Sequence, residues 1–366
     1  MPANSTSLPR AYVTPRALLT GAAAAEAVAA GWAWPLLGGR LAFGAMDVSM
    51  RKDGAVVRLG AIGRADYQKD ASAIAPAVLA AIESQISALA PPRPAFAGLE
   101  GERPALMGVL NVTPDSFSDG GRFAGLDAAV AHAVTLVEAG AAMIDVGGES
   151  TRPGATPVTE PEETARVMPV IRALAARRIP LSIDTRHAFV MAEALAAGAA
   201  VVNDITGLAG DSKSLETVAR SKAAVVLMHM RGEPATMQDN PVYVWAPADI
   251  YDFLEERIAA CLAAGIPKAR IAVDPGLGFG KTDLHNAQIM DHLALFHGLG
   301  CRLVVGASRK GFIGRLSRGE GAQDRLPGSL AAALHAVGQG AQILRVHDVA
   351  ETGQALAVAA RLAAGH

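Results

Sequence analysis

The strongest constraint on the fold is an alternation that begins near residue 105 and runs to the C-terminus. Short apolar runs recur at 105–110, 143–146, 180–183, 200–202, 223–228, 270–273, 302–305 and 342–346. Between them lie stretches with helical spacing near 125–140, 160–177, 187–197, 212–221, 247–264, 284–297 and 326–338, and a last one follows at 350–363. Eight strand-like runs, each followed by a helix, match a closed (β/α)8 barrel, and their span is close to the ~250 residues usual for that fold. The expected class is therefore α/β, a TIM barrel with a small N-terminal α+β appendage. An open doubly wound sheet is the runner-up. It is disfavoured because polar motifs follow nearly every run, which implies a ring of loops at one rim.

Residues before about Pro104 read differently. Segments 41–50 and 55–62 carry partial alternation around Arg51-Lys52-Asp53-Gly54, whose Asp-Gly pair is a hairpin signal. Segment 70–90 sets Ile74, Val78, Ile82, Ile86 and Leu89 at helical spacing, and Pro91-Pro92-Arg93-Pro94 ends it. The expected division is an extension at 1–95, a linker at 96–104 and a barrel at 105–366. The extension carries no constellation of titratable groups, so its role stays open. The Ala-rich stretch 17–39 contains Glu26, and its apolar pieces are too short to span a bilayer. It is read as neither a targeting nor a membrane segment, and the expected setting is the cytoplasm.

Composition narrows the partners. With 366 residues, 51% of them hydrophobic, the chain can bury a large core. A formal net charge of -2 provides no long-range field to gather nucleic acid, so any phosphate binding must come from local placement. Cys261 and Cys301 stand far apart with no CxxC pair, which suits a reducing compartment and argues against a structural zinc site.

Polar motifs follow the runs in turn. Asn111 opens NVTPDSFSDGG after the first, and Gly147-Gly148-Glu149-Ser150-Thr151-Arg152-Pro153-Gly154 follows the second. Next come Asp184-Thr185-Arg186, Asn203-Asp204, the stretch from Asp274 to Lys281, Ser308-Arg309-Lys310-Gly311 and Arg345-Val346-His347-Asp348. Strand ends that only cap a core need not carry Asp, Asn, Lys, Arg and His together, so this clustering points to chemistry. Gly276 to Thr282 resembles a phosphate-binding P-loop, but the required first Gly is replaced by Pro275, and the segment is read as a turn-rich strand end. Asp184, Asn203 and Asp274 suit a flat heterocycle with amino, ring N–H and carbonyl groups, because carboxylates only accept and an amide does both. Arg152, Arg345 and His347, with Thr151 and Asn111, suit a polyanion such as diphosphate. His132, His187, His335 and the Met228-His229-Met230 group are read as packing or surface positions, since no metal-ligand spacing connects them.

In order and spacing, NVTPDSFSDGG, IDVGGESTRPGA, SIDT, NDITG, LMHMRGEP, DPGLGFGK, SRKGFIG and RVHDV resemble the dihydropteroate synthase family of folate biosynthesis. The resemblance implies condensation of 7,8-dihydropterin-6-ylmethyl diphosphate with 4-aminobenzoate, with Mg²⁺, in a homodimer. It implies Asn111 as the Mg²⁺ ligand and Thr151, Arg152, Arg345 and His347 as the diphosphate pocket. Asp184, Asn203, Asp274 and Lys310 fall where the family holds the pterin ring, with Met228 and Phe279 beside it. Asp115, Ser116 and Phe117, and also Thr151-Arg152-Pro153, correspond to loops that close over the site. Asp184, Lys310 and Asp115 are the expected catalytic residues. Gly311 departs from the Ser that many members carry after the Lys, and the N-terminal hundred residues depart from the common bacterial form. A methyltetrahydrofolate-binding methyltransferase module and a non-catalytic paralogue are the alternatives. The former has no use for the Asn111 loop, Ser308-Arg309-Lys310 or Arg345-Val346-His347.

Overall fold

The computed structural model describes residues 10–101, 103–112, 121–150 and 157–364. The chain begins with β1 (Arg10–Thr20), the Ala-rich helix α1 (Gly21–Ala29), β2 (Trp34–Leu36), β3 (Leu41–Lys52) and β4 (Ala55–Gly63). Strand β3 pairs antiparallel with β1, β2 and β4. The expected hairpin joins β3 to β4. Asp53 and Gly54 both take positive φ, of 49° and 80°, the geometry that an Asp-Gly turn supplies.

The helix expected over 70–90 begins only at Pro76, as α3 (Pro76–Leu89); before it come α2 (Arg64–Asp70), which was not expected, and a 3-10 turn at Ala71–Ala73. Proline provides the reason. Pro76 lacks the N–H that a helix interior needs and holds Ala75 extended, at ψ 132°, so it starts a helix instead of continuing one. Strand β1 was not anticipated, because Pro15 and the Ala-rich run that follows obscure its alternation.

This sheet docks on the side of the barrel through buried contacts. Tyr12 is fully buried, sets its ring edge-on against Trp245 and Tyr251, and donates from its hydroxyl to Asp252 at 2.8 Å. Burying a side chain of that size contributes on the order of 1.5–3 kcal/mol. Arg51 reaches Asp249 at 2.5 Å and Arg16 reaches Asp291 at 2.7 Å, so cations of the sheet face carboxylates of the barrel helices.

The barrel strands are β5 (Ala105–Asn111), β6 (Met143–Gly147), β7 (Leu181–Asp184), β8 (Val201–Asp204), β9 (Ala224–Met228), β10 (Ile271–Asp274), β11 (Arg302–Val305) and β12 (Ile343–Val346). They are parallel and ordered by sequence, and β12 pairs with β5 to close the barrel. Around them lie α4 (Gly121–Glu138), α5 (Glu160–Ala175), α6 (Ala188–Ala196), α7 (Ser214–Arg220), α8 (Ala246–Ala263), α9 (Asp283–Asp291), α10 (Gly311–Arg315), α11 (Leu326–Gly338) and α12 (Val349–Ala364). The helix expected at 284–297 splits into α9 and a 3-10 turn at Leu293–Leu299. Among the described residues, no helix is long and apolar enough to cross a membrane.

Successive side chains of a strand face opposite ways, so residues two apart share the barrel interior. Met107, Met143, Val201, Ala224, Ala272, Val304 and Ile343 pack together inside, while Ile144, Ile183, Val202 and Val273 pack outward with the helices. Phe96 from the linker, 1% exposed, joins that inner cluster and plugs the N-terminal end of the barrel. Counting on by two along β5, β6, β8, β9, β10 and β12 leads from this apolar floor to Asn111, Asp145, Asn203, Met228, Asp274, Arg345 and His347, and on β7 the same step leads from Ser182 to Asp184. The alternation that builds the core thus aims one polar set at the opposite rim.

Candidate active site

At that rim Asp184, Asn203, Asp274, Lys310 and Arg345 line one pocket with Ile205, Met228, Leu277, Phe279 and Gly306. Strands β7 and β8 hold Asp184 and Asn203 side by side in register, and β9 and β10 do the same for Met228 and Asp274. Ile205, Met228, Met237 and Phe279 form an apolar wall against which a flat ring can lie. Lys310 sits with Nζ 3.9 Å from the centre of the Phe279 ring, a cation–π contact.

The loop after β10 is shaped by close backbone approach. Gly276 has φ 69°, and a Cβ there would lie 2.0 Å from the His229 carbonyl oxygen. Its N–H donates to Asp274 Oδ1 at 2.7 Å, which orients that carboxylate. Lys281, which resembled the lysine of a P-loop, is instead buried beneath the loop. It donates to the carbonyls of His229 at 3.1 Å and Phe279 at 2.9 Å, and to His229 Nδ1 at 3.0 Å. Burial holds both Lys281 and His229 well below their ordinary pKa ranges. The sequence expectation of a turn-rich strand end fits this loop.

Electrostatics single out two of the lining groups. Burial pushes the Asp184 carboxyl up to about 7; Arg345 pulls against the rise and Asp145 adds to it. Burial, with Arg345 beside it, brings Lys310 down to about 8. Asp274 is raised by burial, against the Gly276 N–H and Lys310. Burial and then Arg345 lower His347 to about 4, so its ring is neutral near pH 7, and Nδ1 lies 3.1 Å from Ser308 Oγ.

Arg345 and His347 share the inward face of β12 as expected, but the Arg345 guanidinium folds onto two carboxylates. Its Nε donates to Asp145 Oδ2 and its Nη2 to Asp184 Oδ2, each at 2.6 Å. Asp145 is the functional candidate that sequence reasoning missed. It sits in mid-strand and not at a strand end, yet one acid on the inward face of the apolar run 143–146 was a visible signal. Asn111 ends β5 beside Gly147 and is exposed. Asp115, Ser116, Phe117, Thr151, Arg152 and Pro153 lie outside the described residues.

Among the other histidines, His187 pairs with the buried Glu163 at 2.7 Å and His335 lies 2.9 Å from the Met290 carbonyl oxygen. Among the described residues, no group of three His, Cys, Asp or Glu is placed to hold a metal.

A parallel barrel with acids, an amide and a lysine around an apolar slot at its C-terminal rim has the build of a ring-binding enzyme. Residues 107–347 match the model of the pterin binding enzyme family, and the chain belongs to that class of (β/α)8 proteins. The dihydropteroate synthase of Escherichia coli K12 is 48% identical over 71% of this chain and 92% of its own length. That of Neisseria meningitidis serogroup B is 46% identical over 70% of this chain and 92% of its own. Among solved structures, Yersinia pestis dihydropteroate synthase in complex with a sulfonamide drug superposes with a TM-score of 0.69 at 48% identity, covering 73% of this chain and 96% of that one. The Xanthomonas albilineans enzyme with 7,8-dihydropteroate gives a TM-score of 0.66 at 44% identity, covering 72% and 95%. This chain belongs to the dihydropteroate synthase family, transferases of folate biosynthesis.

Proposed function

We propose that the rim pocket condenses 7,8-dihydropterin-6-ylmethyl diphosphate with 4-aminobenzoate, giving 7,8-dihydropteroate and diphosphate. The observation that carries this reading is the convergence of Asp184, Asn203, Asp274 and Lys310 on one apolar-walled slot. The carboxylates accept from amino and ring N–H groups, and Lys310 donates to a ring acceptor. Met228 and Phe279 enclose the ring faces.

The C–O bond between the methylene and the diphosphate breaks, the amine nitrogen forms the new C–N bond, and the amine sheds a proton to solvent. Positive charge develops on the pterin-methyl group as the leaving group departs, and ionised Asp184, positioned in a low-dielectric pocket, stabilises it. His347 and Arg345, with Thr151 and Arg152, meet the diphosphate. Asp115, Phe117 and Pro153 complete the aminobenzoate side.

Asn111 would hold Mg²⁺. The site fits a cation that arrives with substrate: Asn111 offers one hard, neutral oxygen at an exposed strand end, and Mg²⁺ takes most of its ligands from phosphate and water. When bound, it neutralises charge on the departing diphosphate.

Buried free thiols at Cys261 and Cys301 support a reducing cytoplasmic setting, and the same reading includes a homodimer. It also keeps 1–95, 96–104 and 105–366 as extension, linker and barrel. The test is formation of 7,8-dihydropteroate from the two substrates with and without Mg²⁺. Ring binding without diphosphate release would instead favour a methyltetrahydrofolate-type module or a non-catalytic paralogue.

A further inference from the structure

We propose that Asp145, at the centre of β6, is a positioning residue for this reaction and presets the Asn203 amide for the ring. The inference rests on the functional reading above. Asp145 is fully buried on the inward face of its strand, two residues above Met143 of the barrel floor. Its Oδ2 accepts from Asn203 Nδ2 at 3.0 Å and from Arg345 Nε at 2.6 Å, while Oδ1 has no hydrogen-bond partner among the described residues. Asn203 and Arg345 both line the pocket, and Asp145 lies beneath them.

An ionised carboxylate can only accept. The amide of Asn203 must therefore turn its NH2 toward Asp145 and its carbonyl oxygen elsewhere, although free asparagine tolerates either orientation. A site that reads a heterocycle by its donor and acceptor pattern loses affinity if that amide can flip. The same Oδ2 ties down Arg345 Nε, so one buried oxygen orients a ring-reading group and a cation together.

The experiment is a double-mutant cycle on ring affinity, measured by calorimetric titration with 6-hydroxymethyl-7,8-dihydropterin, which lacks the diphosphate. Asp145→Ala should weaken binding at least tenfold. Asp145→Asn keeps an oxygen acceptor at Oδ2 and should return affinity to within threefold of wild type. In an Asn203→Ala background, Asp145→Ala should cost at least threefold less than it does in wild type, because one of the two groups it positions is gone. Should Asp145→Ala fail to fold, Asp145→Ser, whose hydroxyl stops short of Asn203, replaces it in the cycle. Equal losses with and without Asn203, or Asp145→Asn as weak as Asp145→Ala, would overturn the positioning role while leaving the dihydropteroate synthase reading intact. Wild-type protein that does not bind the ring would overturn both.

Discussion

Arg345 and Asp184 form a partly buried ion pair 2.6 Å long across the barrel mouth, from β12 to β7. A second arm of the same guanidinium reaches Asp145 on β6, so three strands are linked by one side chain. Asp145 and Asp184 more than offset the cost of burying Arg345, and its pKa is raised. A planar fork can serve two carboxylates at once; an ammonium on a flexible stem cannot reproduce both directions. Arg345→Lys is therefore expected to weaken binding of free diphosphate and of the isolated pterin ring alike, each by about 1–3 kcal/mol, the scale of a lost charge-assisted bond. Titration of both ligands decides the point. Weakening confined to diphosphate would mean that the bridge to Asp145 and Asp184 does not support the ring site.

The pH profile of kcat/KM should be a bell between the titrations of Asp184 and Lys310. Asp184, near 7, must be ionised to accept from the ring and stabilise positive charge, so activity rises with pH through that value. Lys310, near 8, loses its proton as pH rises further, and the activity falls. Asp184→Asn should fold, lose most turnover and abolish the acid limb; a rate within threefold of wild type removes Asp184 from the mechanism. Stability shifts the other way. Because the folded pKa of Asp184 is raised above the ordinary aspartate range, the unfolded chain ionises first, and this group's contribution is lost as pH climbs from about 4 to 7. Thermal unfolding of Asp184→Asn should lack that part of the slope.

The barrel was legible because its signals are local: each β-strand is a short apolar run, and each polar motif sits where the run stops. Asp184, Asn203, Asp274, Arg345 and His347 could be singled out from that rule, since strand parity carries them to one rim, whereas Lys310, on the loop after β11, drew its role from the family resemblance. Asp145 escaped the rule because its role depends on two residues, Asn203 and Arg345, that are 58 and 200 positions away. Strand β1 escaped because its partner β3 lies across the whole of α1 and β2, and pairing at that separation leaves little trace in local composition. Phe96 looked like part of a linker for the same reason. Its partners are the inward residues of the barrel strands, from Met107 to Ile343.

Gly276→Ala should damage ring binding out of proportion to its size. The residue needs a left-handed backbone, and the added Cβ would meet the His229 carbonyl at 2.0 Å, so the loop must move. Moving it removes the N–H that orients Asp274. We expect at least a tenfold weaker titration with the isolated pterin ring, together with a lower melting temperature. Affinity equal to wild type would show that Asp274 does not depend on this turn.

The N-terminal extension and the barrel plug separate two roles at adjacent residues. Every proposed ligand lies at or after Asn111, so deleting residues 1–95 should leave product formation measurable while lowering the melting temperature. The loss comes from exposing the surface that Tyr12 covers and from removing the Arg16 and Arg51 ion pairs. That deletion keeps Phe96. Phe96→Ala in the full chain instead opens a cavity at the floor of the barrel, where Met107, Met143 and Ile343 pack against the ring, and should cost about 3–5 kcal/mol in denaturant unfolding. Since the floor lies at the opposite end from the rim, KM for both substrates should stay within about threefold at temperatures where the variant is folded. A folded truncation that binds the pterin ring but forms no product at any Mg²⁺ concentration would assign the extension a place in the site, and the proposed division of labour would fail.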